Sequence, residues 1–289
     1  MQSPTPSFST SLVIACLLCI TATPVLRSQS QVASDSAADT RSLPQTVWYD
    51  ITTALTHGMR LGTLTAYDDH TEWTYIGLTT AATLTTFAVD AEFRSMIQRQ
   101  QESTMRDITA SGDFLGSWGS PIIGGGFYLA GLAAGDEWTR VTGRLALEAI
   151  AYAGITTSVI KSVSGRSRPY LEQGAFDYTP WQFNTDRTAL PSGHATMIWS
   201  LASVLDARID HPAASVLVYS AALVTMAHRW HHDSHWLSDT ILGAAIGWGI
   251  GRAVVAMEEH QSATDAPVQT SVIPVLAPGT AGLHLVVLF

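Results

Sequence analysis

Apolar residues occur along this chain in six stretches of helical length, separated by polar or proline-containing segments. Runs of about 12 to 18 residues without strict alternation favour helices over strands. Two weaker helical patterns lie at residues 48–60 and 92–109. We therefore predict an all-α protein, a helical bundle of about six core helices. The six stretches span residues 73–89, 121–134, 145–160, 194–205, 213–227 and 240–257.

The two ends of the chain break this pattern. Residues 11–22 (SLVIACLLCITA) are apolar over the length of a signal-peptide core and are too short to span a bilayer. Near the other end, residues 272–276 and 283–289 resemble two short strands on either side of Pro278 and Gly279. We predict four regions: a signal peptide or export segment over 1–28, a polar linker with a short helix over 29–68, a helical domain over 69–258, and a tail with a small hairpin over 259–289.

The two cysteines, Cys16 and Cys19, both lie in the predicted export segment. They form no zinc site by themselves, because the chain has no second pair to complete one. Residues 13–16 (VIAC) also fit a lipoprotein cleavage site loosely. We expect an exported protein of a bacterial-type periplasm or cell envelope, without disulfide bonds once the segment is removed.

The apolar stretches fall short of typical membrane spans. None has the roughly 20 uninterrupted apolar residues that a transmembrane helix needs, and Glu148 and Arg252 lie inside the third and sixth stretches. The same stretches are rich in Ala, Gly and Thr, as closely packed membrane helices are. We favour a soluble or peripheral protein over an integral one, with membrane association as the alternative.

Charged residues are scarce, at 13% of the chain against about 25% in typical soluble domains. The formal net charge of -9 argues against nucleic acid as a partner. Because the chain has only 15 Lys and Arg residues in total, a site for an anion must concentrate a few of them locally.

Three short segments hold most of the polar residues that could carry chemistry. They are residues 161–169 (KSVSGRSRP), 191–194 (PSGH) and 229–239 (RWHHDSHWLSD), and each adjoins an apolar stretch. Lys161, Arg168 and Arg229 supply cations whose donors match phosphate oxygens. Ser192 and Gly193 precede a predicted helix, so their backbone N–H groups are predicted to point at an incoming anion. The segments therefore predict a phosphate-binding pocket formed by helix ends.

Two histidines fit separate roles in such a pocket. His235 and Asp239 are four residues apart, and they would share one face of a helix that begins near Ser234. The carboxylate can then bind one ring nitrogen of His235 and leave the other nitrogen to attack phosphorus. His194 can donate a proton to the leaving oxygen as a general acid.

The motifs KxxxxxxRP, PSGH and RxxxxxHxxxD, in this order, resemble the three signature motifs of the type 2 phosphatidic acid phosphatase superfamily. That superfamily includes bacterial class A acid phosphatases and vanadium haloperoxidases, and the resemblance covers roughly residues 69–257. It implies a helical-bundle fold and, in the phosphatase branch, no metal. His228 stands where the family has a serine, which affects one secondary contact. The resemblance implies phosphate binding by Lys161, Arg168, Arg229, Ser192 and Gly193, an acid at His194, a phosphohistidine at His235 and a partner at Asp239.

From these residues we expect a metal-independent phosphatase acting on phosphomonoesters or pyrophosphates, either lipid phosphates or small soluble esters. It would use no cofactor, and vanadate would inhibit it. A vanadium haloperoxidase would use the same pocket with vanadate on His235 as its cofactor. A non-catalytic envelope protein that keeps the fold is a further alternative, and the sequence indicates no oligomeric state.

Several further polar and aromatic residues lie near the motifs. Tyr170, Trp181 and Phe183 lie in the loop between the first two motifs, and His231 lies in the third. We consider these four as candidates for a substrate rim, although the aromatic residues could instead anchor the loop. Glu148 is expected either to pair with a motif cation or to make a polar contact inside the bundle.

The histidines in and just before the third motif also invite a metal interpretation, because His231 and His235 have i, i+4 spacing. The pair lacks the glutamate that follows the first histidine in HExxH. We therefore predict no metal site. The histidines concerned are His228, His231, His232 and His235.

Overall fold

The structure is a computed structural model of the chain. It describes residues 41–62, 71–99, 109–181, 183–265, 269–277 and 280–288. The predicted export segment with Cys16 and Cys19, residues 29–40 of the predicted linker, and the predicted turn at Pro278 and Gly279 lie outside the described residues.

The described part of the chain is built mainly from α-helices, so the predicted all-α class is confirmed. A π-helical turn at Leu115–Gly119 joins the fourth helix to the fifth, and two short 3-10 turns lie in the loop between the sixth and seventh. Each of the six predicted apolar stretches overlaps one helix. In chain order the helices are α1 (Leu43–Gly62), α2 (Thr71–Phe87), α3 (Asp90–Arg99), α4 (Ser111–Phe114), α5 (Ser120–Ala134), α6 (Glu137–Ser164), α7 (Gly193–Ile209), α8 (Pro212–His231) and α9 (Leu237–Asp265).

Capping residues set both ends of the long helix α6. The side chain of Asp136 accepts a hydrogen bond from the backbone N–H of Thr139 at 2.9 Å, and Gly165 ends the helix with a left-handed φ of 59°. The helix begins at Glu137, before the predicted apolar stretch that starts at residue 145. The apolar pattern did not show these first turns because they carry Arg140 and Arg144. α6 thus delivers the first motif segment from its C-terminal end.

Helix α1 presents a polar face to α6. Asp50 accepts a hydrogen bond from Arg140, and Nδ1 of His57 lies 2.8 Å from Oε2 of Glu148. The other oxygen of Glu148 accepts a hydrogen bond from Arg144 at 2.6 Å. Glu148 therefore makes a polar contact inside the bundle rather than pairing with a motif cation. Because these groups are buried, removing one member would leave an unpaired charge, and the network stabilises α1 on α6.

Helices α7 and α9 approach each other along a line of glycines. Gly243, Gly247 and Gly251 follow one another at intervals of one helical turn on α9. A Cβ at Gly247 would lie 2.3 Å from the carbonyl oxygen of Thr196, and one at Gly243 would lie 2.5 Å from that of Ser192. Only glycine allows this separation of the two backbones. The glycines thereby bring the start of α7 next to the start of α9.

Residues 256–289 form a separate compact unit. It contains an antiparallel hairpin of β1 (Gln269–Ala277) and β2 (Thr280–Leu288), in which Gln269 pairs with Leu288. The two predicted strands overlap these, and both observed strands are longer than predicted.

One helix in the described part of the chain is long and apolar enough to cross a membrane, namely the Leu237–Ser262 part of α9. Half of its most apolar window is buried inside the structure. Core helices of soluble proteins share this length and composition. The soluble or peripheral location stays a prediction.

Candidate active site

The three motif segments lie at helix ends that meet. The first ends α6 and continues into the next loop, PSGH begins α7, and the third runs from the end of α8 into α9. The backbone N–H of Ser192 donates to the carbonyl oxygen of Asp239 at 2.8 Å. A Cβ at Gly193 would lie 3.8 Å from Cε of Lys161. The structure therefore brings all three segments together, as predicted from their positions at helix ends.

Three cationic side chains in this region lie close enough to repel one another. Burial, with added repulsion from Arg168 and Arg229, lowers the pKa of Lys161 to about 7. Its Nζ donates to the carbonyl oxygen of Thr188 at 2.5 Å, and Nε of Arg168 donates to that of Thr185 at 2.8 Å. Carbonyl oxygens do not neutralise a cation, so Lys161 and Arg168 keep their charge for a bound anion.

At the start of α7, both the side chain and the backbone N–H of Ser192 make hydrogen bonds within the protein. Oγ of Ser192 caps the helix by accepting from the backbone N–H of Ala195 at 3.5 Å. The prediction that the backbone N–H of Ser192 points at an anion is wrong, because that group donates to Asp239. The N–H of Gly193 belongs to the first helical turn, whose N–H groups have no acceptor within the helix. It stays a predicted donor to the anion.

A backbone turn, rather than a helix face, brings His235 to Asp239. α9 begins at Leu237, so the predicted helix start near Ser234 is wrong. Nδ1 of His235 lies 3.5 Å from Oδ2 of Asp239, and it has no hydrogen-bond partner among the residues that the structure describes. The same oxygen accepts from the backbone N–H of Trp236 at 2.8 Å, in the manner of a helix capping box. The carboxylate therefore faces the ring nitrogen from a fixed position.

Both members of this pair are buried. Burial lowers the pKa of His235 well below its usual value, and the three cations and His194 lower it further. Burial raises the pKa of Asp239, and the nearby guanidinium of Arg166 opposes that rise most strongly. His235 therefore keeps a neutral ring with an available lone pair into the acidic range.

Asp113 is a site residue that the motif analysis missed. Its Oδ1 accepts a hydrogen bond from Nη1 of Arg229 at 2.9 Å and lies 3.2 Å from Nε2 of His194. Gly112 and Gly116 flank it, and a Cβ at Gly116 would lie 2.7 Å from Cβ of His194. A Cβ at Gly112 would lie 2.7 Å from Cα of Thr225, so the two glycines, one helical turn apart, allow this segment to approach both α7 and α8. Their spacing around a carboxylate is the signal by which the sequence could have shown Asp113.

His194 lies between a cation and this carboxylate. Burial, with Arg229, lowers the pKa of His194 to about 4, and Asp113 opposes the change. A ring with two ionised neighbours can gain or lose a proton when a charged ligand enters. This property fits the general-acid role that the sequence predicts for His194.

The candidate rim residues differ in their surroundings. Trp181 and Phe183 are 69% and 80% exposed, so they do not anchor the loop by packing. The hydroxyl of Tyr170 donates to Asp186 at 2.6 Å, and His231 is half-buried at the end of α8. Among the described residues, no group of three or more His, Cys, Asp or Glu side chains could hold a metal ion.

These helix ends, with their cations and two histidines, define a helical-bundle protein with a candidate anion site. Residues 143–262 match the family model described as the PAP2 superfamily. The match runs from α6 to α9 and includes all three motif segments. The chain therefore carries a PAP2 superfamily domain, as its motifs predict. No curated protein and no solved structure shows significant similarity to the chain.

Proposed function

We propose that the protein is a phosphoric monoester hydrolase that works without a metal, through a phosphohistidine on His235. The observation that supports this most strongly is the position of His235. Its Nδ1 faces the carboxylate of Asp239 at 3.5 Å, and Lys161, Arg168 and Arg229 lie near enough to lower its pKa. A neutral imidazole beside a carboxylate and a cluster of cations suits attack on a phosphate group.

In the proposed first step, the Nε2 lone pair of His235 forms a bond to phosphorus and the ester P–O bond breaks. The leaving oxygen takes a proton from His194. The positive charge on the phosphorylated ring is stabilised by Asp239, and the charge on the equatorial oxygens by the three cations.

In the second step, a water molecule attacks phosphorus and gives a proton to His194. The N–P bond then breaks, the electron pair returns to His235, and inorganic phosphate leaves. His194 thus serves as acid and then as base, and no oxidant or metal takes part in either step.

The two pKa values favour activity at acidic pH. His235 must be neutral, and its lowered pKa keeps it so below its usual range. His194 must be protonated, and its pKa of about 4 in the free enzyme limits this at higher pH. A bound phosphate dianion next to the ring raises the pKa of His194 again.

The substrate of the proposed reaction is either a lipid phosphate or a small soluble ester or pyrophosphate. The exposed Trp181 and Phe183, in the loop between the first two motifs, fit an amphiphilic substrate. We further propose that the protein is exported to the cell envelope, with membrane association through apolar surface. No cofactor and no nucleic acid enter the proposal.

The test is hydrolysis of para-nitrophenyl phosphate, phosphatidate and undecaprenyl pyrophosphate by protein from the soluble and the membrane fraction. His235→Ala should reduce kcat at least about a hundredfold on the preferred substrate. His211→Ala is the matched control, because His211 caps the opposite end of α8. Vanadate should inhibit the wild type and EDTA should not.

Near-normal activity of His235→Ala would contradict the proposed nucleophile. Inhibition by EDTA that zinc or magnesium reverses would instead indicate metal catalysis. Bromide oxidation that depends on added vanadate would indicate a haloperoxidase.

A further inference from the structure

Behind His235 lies a row of three buried charged groups. Nη1 of Arg166 donates to Oδ1 of Asp239 at 2.6 Å, and Nη2 donates to Oδ2 of Asp90 at 2.7 Å. All three side chains are fully buried. The order Asp90, Arg166, Asp239, His235 therefore runs from α3 to the proposed nucleophile.

The guanidinium of Arg166 is held by all of its donors. Besides the two carboxylates, Nη1 donates to Oγ of Ser238 at 2.7 Å, while Nε and Nη2 donate to the carbonyl oxygen of Ala175 at 2.9 and 2.7 Å. An arginine has five N–H donors, and each has an acceptor here. The ring centroids of Phe87 and Trp236 lie 4.6 and 5.5 Å from its central carbon. Its position is therefore fixed on every side.

Asp90 is held equally firmly. Its Oδ1 accepts from the backbone N–H of Ser238 at 2.9 Å, and its Oδ2 accepts from the hydroxyl of the same residue at 2.6 Å. Ser238 precedes Asp239 directly, so α3 contacts the first turn of α9 next to the proposed catalytic carboxylate.

We propose that Arg166 and Asp90 are positioning residues for the proposed reaction. Arg166 orients Asp239 and keeps it ionised, and Asp90 offsets the charge of Arg166 so that the group of three keeps one net negative charge beside His235. The inference rests on the proposed role of His235 as the nucleophile.

The need for both residues follows from the burial of Asp239. A fully buried carboxylate without a cation would take up a proton and could no longer stabilise a charged imidazole. Arg166 alone would prevent this but would leave a neutral pair, with little attraction for the charge that forms on His235. Asp90 restores the negative charge. This negative charge is needed because the three proposed anion-binding cations also lie near His235 and disfavour a positive charge on its ring.

Asp90→Asn tests the inference with little change in shape. We expect kcat to fall about tenfold, the scale of one lost charge-assisted interaction in the transition state, with KM within about twofold. Asp50→Asn is the matched control, because Asp50 is also a buried carboxylate paired with an arginine, on α1 and outside the site. It should keep the kcat of the wild type even if its melting temperature falls. Equal kcat in the two variants would overturn the inference, as would a rise in KM at unchanged kcat.

A second pair of variants tests the charge of Arg166. Arg166→Gln should lose more kcat than Arg166→Lys, because lysine keeps a positive charge near Asp239. Equal losses would contradict the role of the charge, and if Arg166→Gln does not fold, the Asp90→Asn comparison decides. A wild-type protein without phosphatase activity would overturn the proposed function and this inference with it. An active wild type with an unaffected Asp90→Asn variant would overturn this inference alone.

Discussion

Replacing Asp113 by asparagine should show two effects of its carboxylate, one on anion binding by Arg229 and one on the pKa of His194. Oδ1 of Asp113 lies 2.9 Å from Nη1 of Arg229 and 3.2 Å from Nε2 of His194. It thus pairs with one proposed anion-binding cation and with the proposed acid. The asparagine side chain would keep the shape and a hydrogen-bond acceptor but would carry no charge.

The magnitude follows from distance and exposure. Opposite unit charges at about 4 Å attract by roughly 1 kcal/mol in water-like surroundings. The side chain of Asp113 is 58% exposed, so screening applies, and measured exposed ion pairs contribute about 0.2–1 kcal/mol. Without this competitor, phosphate should bind Arg229 up to about fivefold more tightly. The pKa of His194, already lowered to about 4, should fall further because Asp113 is the group that opposes the fall.

The assay is a pH series of kcat, KM and the inhibition constant of phosphate. We expect a lower inhibition constant for Asp113→Asn, together with a lower kcat whose decline begins at a lower pH. Glu137→Gln is the matched control, since Glu137 is a half-exposed carboxylate near Arg140 and outside the site. Weaker phosphate binding in Asp113→Asn, or a pH profile equal to that of the wild type, would refute the reasoning.

Three further predictions concern the acid, the lysine and the glycine contact. His194→Ala should slow an alkyl phosphate at least about a hundredfold and para-nitrophenyl phosphate much less, because nitrophenolate leaves without a proton; equal losses would contradict the acid role. KM of the wild type should rise above about pH 7, where Lys161 loses its charge. KM of the Lys161→Arg variant should rise less over the same pH range, since arginine stays charged. Identical pH profiles of KM in the two proteins would contradict the role of the lysine charge. In thermal melts Gly247→Ala should destabilise by about 1–3 kcal/mol, because its Cβ meets the Thr196 oxygen at 2.3 Å. Gly154→Ala, whose Cβ meets nothing within 4 Å, should stabilise by up to about 1 kcal/mol; a more stable Gly247→Ala would contradict the close approach.

The helices could be predicted because their buried faces are apolar over several turns. This holds for α5, α7 and α8, whose observed bounds lie close to the predicted stretches. It fails at the start of α6, where Arg140 and Arg144 face inward and pair with acidic groups. Polar residues inside a bundle carry no periodic apolar signal, so a pattern of hydrophobicity ends where such a network begins.

The motifs predicted which residues meet, but not how they are held. His235 and Asp239 were expected on one helix face, whereas the chain turns just before α9 and the carboxylate caps that helix. The distinction depends on backbone hydrogen bonds that spacing alone does not show. Asp90 and Asp113 escaped notice because they belong to no motif and reach the site from segments 149 and 81 residues before Asp239 and His194 along the chain.

Four of the cations differ in the groups that they bind. Arg140 pairs with the carboxylate of Asp50, and Arg166 lies between two carboxylates. Lys161 and Arg168, from the same short segment as Arg166, instead donate to carbonyl oxygens. Position in the sequence does not distinguish these residues, because Arg166 lies between Lys161 and Arg168. A buried carboxylate partner neutralises a guanidinium, whereas a carbonyl oxygen orients a cation and leaves its charge for a ligand. Lys161 and Arg168 therefore keep their charge for an anion, whereas Arg229, the third proposed anion-binding cation, shares its charge with the exposed carboxylate of Asp113, with which a bound anion must compete.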